Sequence, residues 1–184
     1  VWDPAVTVIA VPHNYMIPGY RSDAVNTLRL WQAQAPENLD LREFNQGDFQ
    51  AAVRAQTEAE AISKVLYPED STLAGKKLRL QQQYFFVAAS IHDFIHNVLP
   101  GDFDLRRLHE RVIFQLNDTH PVIAIPELMR VLLDENGLPW KQAWEVTRRC
   151  FAYTCHTLLP EALEVWPVDL LEELLPRHME IIYR

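Results

Sequence analysis

Apolar residues recur at two different spacings along this chain of 184 residues, and those spacings predict its strands and helices. Residues 6–11 read VTVIAV, a β-branched run bounded by prolines that predicts a strand. After a turn at 18–19, residues 26–32 are a weaker strand candidate. Asp48 can cap a helix that runs to about Leu66, and the polar middle of this helix predicts that it is partly exposed or lies at an interface.

A second group of elements follows a polar loop at residues 68–75. The three- and four-residue spacing of apolar side chains predicts a long amphipathic helix from about Lys77 to Val98. Residues 112–116 and 151–154 are short strand candidates, and proline and glycine signals between them predict helices at 121–133 and 139–149. Further helices are expected at about Leu158 and at Val168, the latter strained by Pro176.

The order strand, helix, helix, strand predicts a right-handed crossover between two parallel strands, and hence an α/β fold with a parallel sheet flanked by helices. Ligands of such sheets bind beyond the carboxyl ends of the strands. One predicted strand is followed by Asp118, Thr119 and His120, and the other by His156 and Thr157. Because such groups hydrogen-bond polyols such as sugars, the pattern predicts a polar small-molecule site.

Each of these residues could also have a purely structural role. Asp118 and Thr119 could simply cap the following helix, and His120 and His156 could be hydrogen-bonded core histidines. A metal-dependent sugar-modifying enzyme that uses Asp118, His120 and His156 is a further hypothesis. No third ligand has a spacing that indicates a metal, so we expect no metal site.

Two other histidine arrangements are weaker candidates. Cys155 and His156 are neighbours on a strand end and should point to opposite faces, which argues against a Cys–His catalytic dyad. His92 and His96 share a helix face, but the residues between them lack the glutamate of the zinc-protease motif. We interpret these two as surface or lining histidines.

Composition narrows the class of protein. The apolar share of 48% and the charged share of 23% are typical of a globular protein, and no apolar run is long enough for a membrane span. The net charge of 17 − 25 = −8 offers no basic field for nucleic acid. Two cysteines form no disulfide framework, which favours a reducing compartment. The chain begins without Met and stops inside a helical pattern, so we expect it to be cut from a longer protein.

Seven ordered segments nearly cover the chain and carry its most specific signal. They read NTLRLW at 26–31, VLYP at 65–68, LRL at 78–80, QLNDTHP at 115–121, IPELMR at 125–130, AYTCHTLLPEALE at 152–164 and LLPRH at 174–178. This set resembles the α-glucan phosphorylase family, with the bacterial glycogen phosphorylases nearest in pattern and the maltodextrin phosphorylases close to them.

The resemblance implies that residues 1–184 are the later part of the N-terminal domain, with a Rossmann-like sheet, of a two-domain glycosyltransferase of the GT-B type. Such enzymes use pyridoxal 5'-phosphate and cleave terminal α-1,4-glucosidic bonds with orthophosphate, which releases α-D-glucose 1-phosphate with retained configuration. The cofactor lysine would lie outside this segment, so no cofactor-binding residue and no activity are expected for the isolated piece. The alternative is a non-catalytic glucan-binding module of the same fold.

The resemblance also implies roles for individual residues. His156 would hydrogen-bond the 6-hydroxyl of the reacting glucose, and Asp118 and His120 would shape the catalytic cleft. Tyr67 would stack on a glucan ring, and loop 69–72 would be a mobile gate over the site. The helix at 48–66 would make the contact of a cytoplasmic homodimer that binds glycogen or maltodextrin. The implied substrate-binding residues are Tyr67, Asp70, Ser71, Thr157, Glu161 and Ala162.

Overall fold

In the computed structural model, which describes residues 2–160 and 163–184, the chain divides into an N-terminal unit (Pro4–Phe85) and a C-terminal unit (residues 2–3 and Phe86–Arg184). The strands are β1 (Ile9–Pro18), β2 (Val25–Gln34), β3 (Phe114–Asn117) and β4 (Phe151–Thr154). The α-helices are α1 (Leu41–Asn45), α2 (Phe49–Ala52), α3 (Arg54–Lys64), α4 (Leu73–Asp93), α5 (Ala124–Arg130), α6 (Trp140–Thr147), α7 (Val168–Leu174) and α8 (Pro176–Ile182). Shorter helical elements include the 3₁₀ helices Leu105–Glu110 and His120–Ile123 and the π-helices Phe94–Val98 and Val131–Glu135.

The N-terminal unit begins with an antiparallel hairpin in which Ile9 pairs with Gln34 and Pro18 pairs with Val25. Both predicted strands exist, but β1 begins three residues later than expected and extends to the turn. Cross-strand hydrogen bonding rather than the β-branched run therefore sets its limits. The backbone N–H of the buried Ala33 donates to Ser63 Oγ at 2.8 Å, which connects β2 to α3.

The continuous helix predicted from Asp48 to Leu66 is wrong, because two helices occupy this stretch. Asp48 caps as expected, since its Oδ1 accepts a hydrogen bond from Ala51 N–H at 2.9 Å. Val53, with φ −107°, interrupts the helical backbone between α2 and α3. Within α3 only Ala59 and Ile62 are buried, in agreement with its polar middle.

The C-terminal unit confirms the predicted amphipathic helix and the parallel pair of strands. Val87 and Ile91 of α4 enter the hydrophobic core, as does Ile95 in the π-helix that continues it. Strands β3 and β4 pair in parallel with Asn117 opposite Thr154. The sequence predicts helices between these strands, and α5 and α6 are found there. The chain is thus α/β with a small parallel sheet, as predicted.

Two predictions near the end of the chain need correction. Leu158 and Leu159 form a bend rather than a helix start, because Thr157 Oγ1 accepts the Leu159 N–H at 3.0 Å and holds a local turn instead. The next part of that prediction falls on residues 161–162, outside the described residues. Pro176 does not strain a helix, since α7 ends at Leu174 and Pro176 begins α8, a position where proline is favoured.

Among the helices of the described ranges, none combines the length and the apolar character that a membrane crossing requires.

Candidate functional site

The carboxyl ends of β3 and β4 meet at one edge of the parallel sheet, as the sequence predicts. Beyond the Asn117–Thr154 pair, the Asp118 N–H donates to the Thr154 carbonyl at 2.9 Å and extends the ladder by one residue. Gln115 Nε2 donates to Thr154 Oγ1 at 2.9 Å across the two strands. The segments 118–120 and 155–157 therefore leave the sheet side by side. We call these two segments the strand-end edge.

Asp118 makes the turn at which the chain leaves β3. Its φ of +69° lies in the left-handed region, which aspartate tolerates better than most residues. Its Oδ1 accepts the N–H of Thr119 at 3.0 Å. Thr119 stands at the N-cap of the His120–Ile123 turn but makes no side-chain cap. Simple helix capping by these two residues is therefore not what the structure shows.

Tyr153, which the sequence analysis missed, joins the strand-end edge through its hydroxyl. Its oxygen lies 3.0 Å from Thr119 Oγ1. The bond to Thr119 lowers the pKa of the phenol, but contacts with Cys155 and the charges of Cys155 and Asp118 outweigh it and leave the pKa above the ordinary value of 10.0. The phenol therefore stays protonated and can donate a hydrogen bond at neutral pH. The sequence signal that could have identified Tyr153 is its position next to Thr154, at the end of the predicted strand.

Neither histidine of the strand-end edge is a core histidine. His120 is 32% exposed, and its Nε2 lies 3.4 Å from Glu164 Oε1, a carboxylate that is itself 7% exposed. His156 is exposed, and among the described residues its ring has no hydrogen-bond partner. Asp118, His120 and His156 do not bring their ligand atoms together in the way a metal requires, within the residues that the structure describes.

Both cysteines are free, and among the described residues neither thiol hydrogen-bonds a histidine. Cys155 Sγ lies 3.0 Å from the Thr157 carbonyl and donates to it. Cys150 is buried directly before β4, and burial raises the pKa of its thiol to about 11. Cys150 is therefore an inert core residue.

A buried charged cluster lies in the C-terminal unit, on the helix that follows the Asp118 turn. Glu127 in α5 is fully buried and lies 2.6 Å from His178 Nε2 in α8. Arg130 donates to both Glu127 oxygens, at 2.9 and 2.8 Å. Burial raises the pKa of Glu127, but the bonds from Arg130 and His178 outweigh it and hold the pKa below 4.5. Glu127 therefore stays ionised and fixes α5 against α8.

The N-terminal unit holds the other described candidates in the loop before α4. Tyr67 is 69% exposed at φ +55°, and the Arg79 guanidinium carbon lies 5.8 Å from its ring centroid. Arg79 Nη1 also donates to Asp70 Oδ2 at 2.9 Å. The Ser71 N–H donates to Glu69 Oε1 at 2.8 Å, and hydrogen bonds from the Ser71 side chain and then from its backbone lower the pKa of Glu69. Arg79 thus fixes Asp70 while the Tyr67 ring stays accessible.

Gly75 shows how closely this loop approaches α4. A Cβ at Gly75 would lie 1.7 Å from the carbonyl oxygen of Glu69, a distance that no side chain can occupy. The loop therefore needs glycine at this helical position. Glu161 and Ala162, the remaining predicted substrate-binding residues, lie outside the described residues.

The strand-end edge offers imidazoles, hydroxyls and a carboxylate. Its two segments contain no lysine or arginine. Such a set hydrogen-bonds neutral polyols well and gives an anionic group no cationic partner. The fold and the edge together define an α/β protein with a polar, carbohydrate-compatible site at the ends of parallel strands.

The comparisons with known proteins agree with this class. The profile of the family described as carbohydrate phosphorylase matches residues 1–184. The chain is 52% identical to human liver glycogen phosphorylase over 99% of its length and 49% identical to the glycogen phosphorylase of Pasteurella multocida over 100%. It is 48% identical to the brain form of rat over 100%. The chain belongs to the carbohydrate phosphorylase family, and it spans about 22% of the length of these curated relatives.

These identities confirm the family resemblance of the sequence motifs. They do not favour the bacterial enzymes over the mammalian ones as the nearer match, because relatives from both groups are similar to the chain to nearly the same degree.

Proposed function

We propose that this chain is a segment of a glycogen or α-glucan phosphorylase, which cleaves terminal α-1,4-glucosidic bonds with orthophosphate and releases α-D-glucose 1-phosphate with retained configuration. The observation that carries the proposal is the family match over all 184 residues, at about half identity to proteins named glycogen phosphorylase. The polyol-compatible strand-end edge supports it independently. The whole enzyme has the GT-B architecture, and residues 1–184 form the later part of its N-terminal domain.

His156 is the central residue of the proposed site. It hydrogen-bonds the 6-hydroxyl of the reacting glucose, and its backbone carbonyl faces the positive charge that develops on the sugar. Its exposed ring, which no described residue engages, supports this role because the imidazole is available to a ligand. Such contacts accelerate the reaction only if they strengthen in the transition state.

Asp118 and His120 shape the cleft around this glucose. The left-handed turn at Asp118 and the pairing of His120 with Glu164 support a fixed orientation for both side chains. A catalytic cleft benefits from such orientation, since small displacements of positioning groups reduce the rate strongly.

Further residues are proposed to contact the glucan. Tyr67 stacks on a glucan ring, which its exposed aromatic face allows. Asp70 and Ser71 belong to a gate over the site, formed by loop 69–72. Thr157, Glu161 and Ala162 line the same cleft.

Pyridoxal 5'-phosphate supplies the phosphate-activating chemistry of the enzyme. The strand-end edge does not fit this group, because it has no lysine amine for the aldehyde and no cationic side chain for the phosphate. As the family resemblance implies, we propose that a lysine outside these 184 residues holds the cofactor. The strand-end edge binds and orients the sugar.

The enzyme acts as a cytoplasmic homodimer on glycogen or maltodextrin, with the segment 48–66 at the dimer contact. The exposed surface of α3, where only Ala59 and Ile62 are buried, supports that contact. The 184 residues in isolation are inactive, since they lack the cofactor lysine and so cannot hold phosphate, cofactor and glucan in register.

The test measures glucose 1-phosphate release from a maltooligosaccharide and orthophosphate by the intact protein. A His156→Ala variant is compared with His13→Ala, which removes another exposed histidine, one that hydrogen-bonds Gln32 on the hairpin. We expect kcat to fall by at least tenfold in the first variant and to be unchanged in the second.

Each outcome has a distinct meaning. Equal turnover in both variants would contradict the role of His156 and leave the phosphorylase assignment intact. Glucan binding without any phosphate-dependent turnover would overturn the enzyme assignment and favour the non-catalytic glucan-binding module.

A further inference from the structure

The surface of the C-terminal unit carries a second histidine cluster that the proposed phosphorylase function does not use. His92 lies in the last turn of α4, and His96 lies in the π-helix that follows it. Their ring centroids are 4.3 Å apart with the planes inclined by 35°. Residues four apart on a helix face the same side, so the pair presents two imidazoles to one point.

Glu135 completes the cluster from a distant part of the chain. Its Oε2 lies 3.5 Å from His92 Nε2. One nitrogen of each histidine and an oxygen of Glu135 all lie within 4.8 Å of one another. All three residues are exposed.

We infer that His92, His96 and Glu135 form a surface site for a divalent transition-metal ion of the zinc class. Two imidazoles and a carboxylate are ligands that Zn²⁺, Ni²⁺ and Cu²⁺ accept, whereas Mg²⁺ and Ca²⁺ prefer oxygen ligands alone. Three protein ligands leave the fourth position of a tetrahedral Zn²⁺ ion to water.

The distances suit binding after a small adjustment. Zinc–ligand bonds of about 2.0–2.1 Å place tetrahedral donor atoms roughly 3.3 Å apart. The three donors lie within 4.8 Å of one another, so each pair must approach by at most about 1.5 Å. Exposed side chains achieve this by small rotations about their side-chain torsions.

The backbones beneath the ligands are fixed, which limits the entropy lost on binding. Ile91 and Ile95, each directly before a histidine of the cluster, are buried in the same helical segment, and Val131 and Leu132 anchor the π-helix that ends at Glu135. The metal would therefore join two elements that the core already holds.

Arg130 gives Glu135 an outer-shell partner. Its Nη2 lies 2.9 Å from Glu135 Oε1 and leaves Oε2, the oxygen that faces His92, for the ion. Partners of this kind orient a ligating carboxylate and affect metal affinity by about 10–100-fold.

The test is calorimetric titration of the intact protein with ZnCl₂ in chelator-free buffer, followed by MgCl₂. The double variant His92→Ala/His96→Ala and the single variant Glu135→Gln are compared with His13→Ala, the matched exposed histidine outside the cluster. We expect the double variant to lose one stoichiometric Zn²⁺ site, Glu135→Gln to bind at least tenfold more weakly, and His13→Ala to behave as wild type.

A second measurement separates binding from misfolding. Zinc should raise the midpoint of thermal unfolding of the wild type but not of the double variant, because a ligand that binds only the folded state stabilises it. Identical isotherms for the wild type and the double variant would overturn the site. Unchanged Zn²⁺ affinity in Glu135→Gln would show that Glu135 is not a ligand of the ion. Equal binding of Mg²⁺ would contradict the zinc-class assignment.

Discussion

Glu127 and His178 lie 51 residues apart in the sequence, yet their side chains meet at 2.6 Å in a fully buried contact. Arg130 completes this contact from the same helix as Glu127. The cluster connects α5, which follows the Asp118 turn, to α8 near the end of the chain. An ionised carboxylate in this position is stable only while both partners remain in place.

Replacing Glu127 should destabilise the folded protein strongly. In Glu127→Gln the buried His178 and the half-buried Arg130 lose the carboxylate that they contact, and we expect the free energy of unfolding to fall by about 3–5 kcal/mol. Denaturant-induced unfolding measures this loss. Glu145→Gln is the control, because the Glu145–Arg148 pair is exposed and its loss should change stability little. Equal effects of the two variants would contradict the importance of the buried cluster.

The same carboxylate predicts how stability depends on pH. The pKa of Glu127 lies below 4.5 in the folded state, so its contribution is complete above 4.5 and is lost as pH falls through the lowered pKa. In that window the unfolded chain binds a proton that the folded chain does not. Unfolding free energies at about pH 6 and about pH 4 should differ less in Glu127→Gln than in the wild type. Part of the decline should persist, because Arg177 also lowers the pKa of Asp134.

Gly75 should not tolerate a methyl group. In Gly75→Ala the new Cβ meets the Glu69 carbonyl, and relieving that clash costs roughly 1–3 kcal/mol, against which helix propensity returns about 1 kcal/mol. The midpoint of thermal unfolding should fall. The KM for maltooligosaccharide should rise, since the displaced loop carries Asp70 and Ser71. Gly101→Ala is the matched control because nothing lies within 4 Å of its added carbon. Indistinguishable variants would mean that the loop moves freely.

Asp118 allows its backbone role to be separated from its proposed role in the cleft. Glycine accepts a φ of +69° without strain, so Asp118→Gly should preserve stability within about 1 kcal/mol. If the carboxylate shapes the cleft as we propose, turnover should nevertheless fall. Parallel unfolding and phosphorolysis measurements check both. Full activity in the glycine variant would show that Asp118 only forms the turn and that its carboxylate does not shape the cleft.

The two cysteines should differ sharply in reactivity. With a pKa of about 11, roughly one Cys150 thiol in a thousand is ionised at about pH 8, and burial also blocks access. Cys155 is exposed and should react with iodoacetamide under native conditions. Peptide mapping by mass spectrometry after labelling measures the two separately. Labelling of Cys150 at a comparable rate would indicate that the region around β4 opens readily.

The sequence by itself determined the family, the α/β class and the pair of parallel strands. The family followed from the resemblance of seven ordered motifs. Local spacing was sufficient for the class and the strands, because the amphipathic pattern of α4 and the apolar strands β3 and β4 follow directly from which side chains must be buried. It also placed Asp118, His120 and His156 at one edge of the sheet, since parallel strands necessarily end on the same side.

The break at Val53 and the bend at Leu158, which the Thr157 hydroxyl holds, replace helix that the apolar spacing predicts. Only the tertiary structure decided how distant residues meet. The Tyr153–Thr119 contact, the buried Glu127–His178 pair and the approach of Glu135 to His92 join residues far apart in the chain. No periodic pattern encodes such contacts, because they arise only once separate elements pack against a shared core.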